Sequence, residues 1–190
     1  MKRLKQTLLI IVFMSSLVGV AQKNYTEASV KDALKQGFAE FVDNLRPAYS
    51  NGDTYKEFKD KVFFGVVNPP NYTLPPVPAE GENLLQKTYQ FLVANYSSRQ
   101  LLEKADYKTF GKAILYINNY SNNNNKSVQD AEVALFGGNS QLISNNALLS
   151  NTRGVCKWWQ LWCHLDQIFG GGGAGQLLQA IVQFIIILIL

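Results

Sequence analysis

The apolar positions of this chain recur at helical spacing over most of its length. In residues 26–46 they stand three or four apart, with charged side chains between them, which predicts an amphipathic helix that ends at Pro47. Thr54-Tyr-Lys-Glu57 has the form of a capping box and predicts a second, shorter helix. The inward stripe of the first helix consists of Val30, Leu34, Phe38, Phe41, Val42 and Leu45.

Helices are also predicted further along the chain. Residues 82–96 carry apolar side chains on one side, and a capping box at Ser97 opens a helical stretch to about Ile117, with Asp106 capping a break inside it. Another capping box begins at Ser127, and its helix is expected to end at the Gly137-Gly138 pair.

Two segments have loop composition. Residues 65–81 hold five of the six prolines, which predicts an extended surface loop. Residues 118–125 are rich in asparagine, whose side chain competes for backbone hydrogen bonds, and a loop is predicted there as well. The chain therefore predicts a mostly α fold, with a single helical domain over 22–137 and a polar linker over 138–154.

The last 36 residues differ from the rest. Residues 155–169 predict a helix with a wide apolar face, on which all three tryptophans of the chain lie. Glycines at 170–173 form a joint, and residues 177–190 are almost wholly apolar. We expect an apolar helical hairpin, although the isoleucine-rich ending of the second segment also fits a buried strand.

Two physical interpretations of this hairpin stay open. It packs beneath the preceding helices, or it contacts a membrane or another protein through its apolar side chains. The final run of 14 residues would span about 21 Å as a helix, short of the roughly 30 Å hydrocarbon core, so interfacial insertion is favoured over a full span. The expected contact residues are Trp158, Trp159, Trp162, Phe169, Phe184 and Ile187.

Cys156 and Cys163 are the only cysteines of the chain. On a regular helix their Cα atoms would be about 10.5 Å apart, whereas a disulfide requires less than about 7 Å. We therefore predict a helix with two free thiols on one face, and a local disulfide between Cys156 and Cys163 is the close alternative. Together with His164 they supply only three candidate metal ligands at a spacing unlike known zinc pairs, so no metal site is predicted.

Charge and motifs exclude several function classes. Three of the 18 basic residues lie in the first 21 positions, which leaves 15 basic against 14 acidic residues, and nucleic-acid binding is not expected. Motifs for acyl transfer, zinc hydrolysis and phosphate binding are absent from the sequence, so no catalytic residue and no cofactor is predicted. Any two acidic residues could still meet in the fold, so a secreted enzyme with carboxylate chemistry is retained as an alternative.

The N-terminus has the three parts of a secretory signal. Three basic residues precede an apolar run from Leu8 to Val20, and Gly19-Val20-Ala21 supplies small residues before a cut. We predict that residues 1–21 are removed, that the mature chain begins at Gln22, and that it is periplasmic or extracellular.

The leading functional hypothesis is an exported, non-enzymatic protein that engages a membrane surface or protein partner through residues 155–190. An oligomer is compatible with that interpretation. The apolar helix, the glycine joint and the Trp/Cys-rich segment also resemble bacterial membrane-active peptides, and Gly137-Gly138 resembles a double-glycine processing site. A precursor that releases its tail as such a peptide is therefore the second hypothesis.

Overall fold

Eight α-helices provide nearly all the regular structure of the described part of the chain. The computed structural model describes residues 25–71, 73–138, 149, 156–170 and 174–189, with only the backbone of 174–180. No strand occurs among these residues, and the predicted mostly α class is confirmed. The helices are α1 (Glu27–Leu45), α2 (Tyr55–Phe64), α3 (Ala79–Val93), α4 (Ser98–Lys104), α5 (Tyr107–Asn124), α6 (Val128–Leu135), α7 (Leu161–Phe169) and α8 (Ala174–Ile189).

Helix α1 is the centre of the domain. It packs against α3, α4, α5, α7 and α8, and a 3₁₀ turn at Arg46–Ala48 follows it. Phe38, Phe41 and Leu45 are fully buried, as the helical spacing predicts. At Gly37 an added Cβ would come within 2.7 Å of the Phe110 ring, so the absence of a side chain lets α5 approach α1 closely.

Side-chain caps fix the starts of four helices at the predicted places. Thr54, Ser97 and Ser127 each form a capping box with the third residue of their helix. Asp106 Oδ1 accepts a hydrogen bond from the Thr109 nitrogen at 3.0 Å, which begins α5 at the predicted break. These local bonds satisfy backbone donors that have no partner inside a helix.

The helix predicted over 82–96 is displaced by three residues. Helix α3 begins at Ala79, directly after Pro78. The ring of Pro78 fixes a φ angle that suits the start of a helix, so the helix can begin at the next residue. It ends at Val93, and Asn95 adopts a left-handed conformation with φ of 50°. The proline-rich loop is therefore three residues shorter than predicted.

The asparagine-rich loop predicted at 118–125 is wrong, because α5 continues to Asn124. Asparagine amides support this last part of the helix: Asn122 Nδ2 donates to Asn118 Oδ1 at 3.3 Å, one helical turn away. The helix ends at Asn125, whose φ of 49° is left-handed. An asparagine run therefore does not break a helix when its amides bond to each other along one face.

The Gly137-Gly138 pair ends α6, as predicted. Both glycines have positive φ, of 93° and 72°, a conformation that residues with a side chain rarely adopt. An added Cβ at Gly137 would lie 2.6 Å from Pro75 Cβ, so the pair also lets the chain pass over the proline-rich loop. The predicted signal peptide at 1–21, and nearly all of the predicted linker at 138–154, lie outside the described residues.

Candidate functional site

The two C-terminal helices and the turns before them are called here the tail unit, comprising residues 156–170 and 174–189. A disulfide joins Cys156 to Cys163, and their Cα atoms are 5.7 Å apart. The prediction of free thiols on one continuous helix is wrong, and the local disulfide kept as its alternative is present. Helix α7 begins only at Leu161, so the residues from 156 to 160 escape helical spacing.

A side-chain hydrogen bond forms the turn that brings the two cysteines together. The Lys157 nitrogen donates to Gln160 Oε1 at 2.8 Å, and the Gln160 nitrogen donates to the Lys157 carbonyl oxygen at 3.0 Å. The turn therefore needs no glycine or proline, which is why it has no local signature in the sequence. His164 closes the turn from the other side, with Nε2 3.1 Å from the same carbonyl oxygen.

His164 also connects α7 to α1. Its side chain is buried, with Nδ1 3.4 Å from Glu40 Oε2 and Nε2 3.4 Å from Asn44 Nδ2. This polar side chain of the segment therefore does not face solvent. The histidine lies in the contact between two helices, and this contact positions α7 on the centre of the domain.

The backbone of α7 is capped by a glutamate from another helix. Glu132 of α6 is buried, and its Oε1 accepts a hydrogen bond from the Trp162 nitrogen at 2.6 Å. The Cys163 nitrogen is a second backbone partner, whereas Gln160, at the N-cap position, makes no side-chain cap. Burial raises the pKa of Glu132 to about 8, and the two backbone bonds oppose that rise. Glu132 was not predicted from the sequence, where it stands out only as an acidic residue beside the apolar positions of α6.

The three tryptophans lie in the core and not on the surface. Trp158, Trp159 and Trp162 are at most 5% exposed. Trp158 contacts the rings of Phe136 and Phe41, with centroids 5.1 Å and 6.0 Å away. In this structure the tryptophans are core residues, and Trp158 packs the tail unit against Phe41 of α1 and against Phe136, which follows α6.

Several polar atoms of the tail unit are buried without a partner in the described part of the chain. They are the indole nitrogens of all three tryptophans and Oδ1 of Asp166. A buried donor that loses its water without gaining a partner costs about 1–3 kcal/mol. The tryptophan packing is consequently less favourable than its apolar contacts alone suggest.

Helix α8 covers the domain with one face. Ile181, Val182 and Ile185 are buried where α8 packs against α5 and α1. Gly111 of α5 makes room for this approach, because an added Cβ there would lie 2.5 Å from Ile189 Cδ1. The segment predicted as either a helix or a strand is therefore helical through Ile189, and its inner face belongs to the protein's own core.

Over residues 181–189 the opposite face of α8 exposes two isoleucines and Gln183 to solvent. Ile187 is 68% exposed and Ile186 is 40% exposed, beside the half-buried Phe184 and Leu188. Of the predicted contact residues, Ile187 and Phe184 thus remain at the surface, while Phe169 is buried against Tyr25. No helix in the described ranges is both long enough and apolar enough to cross a membrane.

Candidate catalytic chemistry is sparse in the described residues. No group of three or more potential metal ligands occurs there, and the sulfurs of both cysteines are used in the disulfide. Glu80 and Asp106 line one groove, but Asp106 caps α5 and lies 3.6 Å from Lys87. This pair therefore does not give the geometry that the alternative of a carboxylate enzyme requires.

The sequence matches no known protein family, and no curated protein or solved structure is significantly similar to it.

Proposed function

We propose that this chain is an exported, non-enzymatic protein that binds a membrane surface through the outer face of α8. The observation that carries the proposal is the exposed pair Ile186 and Ile187 on a helix without a charged residue. A helix whose outer side faces only water normally carries charged side chains on that side. Here the exposed polar side chain among residues 181–189 is Gln183 alone.

Two features support export. The first 21 residues have a basic start, an apolar run and a cleavage motif, which together are typical of a secretory signal. The disulfide between Cys156 and Cys163 suits an oxidising compartment outside the cytoplasm. An apolar face directed outward in that compartment would meet the outer surface of a membrane.

The membrane interaction is expected to be weak and reversible. Complete burial of an isoleucine side chain is worth about 1.5–3 kcal/mol, and these two are already partly covered. Lys157 and Asp166 are the only Lys, Arg, Asp or Glu residues from 156 to 190, so attraction to anionic lipid contributes little. Binding should therefore respond only slightly to salt, which screens interactions between charges.

The proposal is tested by co-sedimentation of the mature protein with vesicles of phosphatidylcholine, with and without phosphatidylglycerol. Wild-type protein should sediment equally with both vesicles at low and at high salt. Ile187→Lys should reduce the bound fraction about tenfold, because a charged side chain enters lipid only at a cost of a few kcal/mol. Val93→Lys is the matched control, since Val93 is 51% exposed on α3.

The two lysine variants give a clear decision. Loss of binding in Ile187→Lys with binding retained in Val93→Lys supports the outer face of α8 as the contact surface. Equal loss in both variants would indicate a general effect of added charge and would contradict the proposal. The proposal would also be contradicted if the wild-type protein bound neither kind of vesicle.

A second candidate function is a precursor that releases the tail unit as a membrane-active peptide. Both cysteines lie inside the unit, so one backbone cut before Cys156 leaves no covalent tie between the fragment and the domain. The three indole nitrogens, which have no partner among the described residues, would gain partners at a membrane interface, where tryptophan rings are favoured.

Mass spectrometry of exported material tests this second function. A disulfide-bonded fragment that starts between residues 138 and 156 and causes leakage of vesicle contents would support it. Recovery of the intact mature chain alone, across growth conditions, would argue against release and leave the peripheral protein.

A further inference from the structure

A polar groove lies between the outer faces of α3 and α5, on a part of the domain that the tail unit does not use. It consists of two adjoining depressions of about 380 Å³ and 360 Å³, which share Glu80 and Lys112. It extends along α5 from Asp106 to Asn124, a distance of roughly 25 Å at 1.5 Å per helical residue. A groove of this length suits an extended ligand with several repeating units.

Two tyrosines form an aromatic surface at one end of the groove. The rings of Tyr116 and Tyr120 have centroids 5.8 Å apart and planes inclined by 25°, and both residues are half-buried. Burial, followed by the neighbouring Tyr120 and Glu80, raises the pKa of Tyr116, so its phenol stays neutral. The pair therefore offers apolar ring surface together with neutral hydroxyl groups.

Neutral amides line much of the remaining surface. Among them, Asn83, Gln86, Gln90 and Asn123 are exposed and make no side-chain hydrogen bond within the part of the chain that the structure describes. Each amide presents an acceptor oxygen and a donor nitrogen. A ligand in this groove would therefore meet both kinds of hydrogen-bonding group along its length.

The charged residues of the groove balance one another. Lys87 Nζ lies 3.6 Å from Asp106 Oδ2, and Glu80 and Lys112 add one charge of each sign. A phosphate, a nucleic acid or an acidic polymer would find no excess of positive charge here. The composition instead favours a ligand that is polar but uncharged.

We infer that the groove between α3 and α5 binds a neutral oligosaccharide. Sugar hydroxyl groups both donate and accept, which matches the open amides, and the apolar face of a sugar ring can pack on Tyr116 and Tyr120. The inference goes beyond the membrane-binding proposal, because it concerns a different surface and no residue of the tail unit contributes to it.

The test uses the mature protein and four neutral probes, cellohexaose, chitohexaose, maltohexaose and mannohexaose, with oligogalacturonate as the acidic comparison. Calorimetry should give a Kd below about 1 mM for at least one neutral probe. Tyr120→Ala should weaken that binding about tenfold, and Asn123→Ala about three- to tenfold through lost hydrogen bonds. Asn122→Ala is the matched control, since Asn122 is exposed on α5 but does not line the groove.

Melting curves establish that each variant is folded before binding is compared. Weakened binding in Tyr120→Ala and Asn123→Ala, with unchanged binding in Asn122→Ala, would support the site. Absence of binding to all four neutral probes, preference for oligogalacturonate, or equal loss in Asn122→Ala would overturn the inference. These results are independent of vesicle binding, so failure of either proposal is distinguishable from failure of the other.

Discussion

The Glu132 carboxylate lies 2.6 Å from the Trp162 backbone nitrogen, so a side chain of α6 caps the first turn of α7. The carboxylate is buried, and its pKa is raised to about 8 by that burial. Glu132 therefore keeps its proton in the folded state until about pH 8. The contact that attaches the tail unit to α6 consequently depends on pH.

The free energy of unfolding should fall as pH rises from about 5 to about 8. The folded state keeps the Glu132 proton over this range while an unfolded glutamate has lost it, so rising pH stabilises the unfolded state relative to the folded one. The loss should reach up to about 4–5 kcal/mol. Urea melts across this range should show it, and Glu132→Gln, which keeps an acceptor oxygen, should flatten the dependence. An equally steep dependence in the variant would assign the titration to another group.

Removal of the disulfide should loosen the tail unit first. The bond between Cys156 and Cys163 closes a short loop, whose loss is worth about 2–3 kcal/mol of chain entropy. Because every tryptophan of the chain lies between residues 158 and 162, intrinsic tryptophan fluorescence reports on this unit alone. The double variant Cys156→Ser/Cys163→Ser should show a red-shifted emission and a lower Tm. Emission and Tm identical to wild type would mean that packing alone holds the turn.

Deletion of residues 174–190 should weaken the domain but leave it folded. The truncation uncovers the surface of α1 and α5 that Ile181 and Ile185 now cover, at about 1.5–3 kcal/mol for each isoleucine. A cooperative thermal transition at lower temperature is expected, measured by circular dichroism. Complete loss of cooperativity would show that α8 is indispensable core, which would count against a membrane role. An unchanged Tm would contradict the packing of its inner face.

Two glycines inside helices should respond differently to alanine. In a helix alanine is favoured over glycine by about 1 kcal/mol, so both substitutions start with the same advantage. At Gly81 the new Cβ would collide with the Leu135 backbone carbonyl, which cannot move aside, and Tm should fall. At Gly111 its closest contact would be the end of the Ile189 side chain, which can rotate, with Ile185 Cγ2 next at 3.3 Å, so Tm should fall less than in the Gly81 variant. Equal effects of the two variants would contradict the close contact of α3 with the end of α6.

The helices whose starts are fixed by local side-chain hydrogen bonds were predicted from the sequence. The capping boxes at Thr54, Ser97 and Ser127 need only residues three apart, and the structure contains all three. The stripe of α1 was equally readable, because its apolar positions recur three or four residues apart within one segment. The continuation of α5 to Asn124 was not readable, since asparagine generally favours turns and the amide bonds along the helix depend on its already being formed.

The tail unit was predicted least well, because its geometry depends on residues distant in sequence. Glu132 caps α7 from 30 positions away, and His164 bonds to α1 across 120 positions. Neither contact has a local signature, and the turn at Lys157 is made by a glutamine side chain. The face of α8 that packs on the domain likewise depends on contacts with α1 and α5, which are distant in sequence.

The packing of α1 against α7 and α8 joins segments that are far apart in the sequence and therefore affects the order of events during synthesis. Helix α1 is synthesised well before Trp158, whose ring packs against Phe41. Until the later residues are synthesised, the apolar stripe of α1 is not fully covered. Exposed apolar surface of this kind favours aggregation or chaperone binding. A chain with such distant contacts also folds slowly compared with one built from neighbouring helices. This late covering of α1 would suit the export proposed above, because a chain that stays open can be threaded unfolded through a translocation channel.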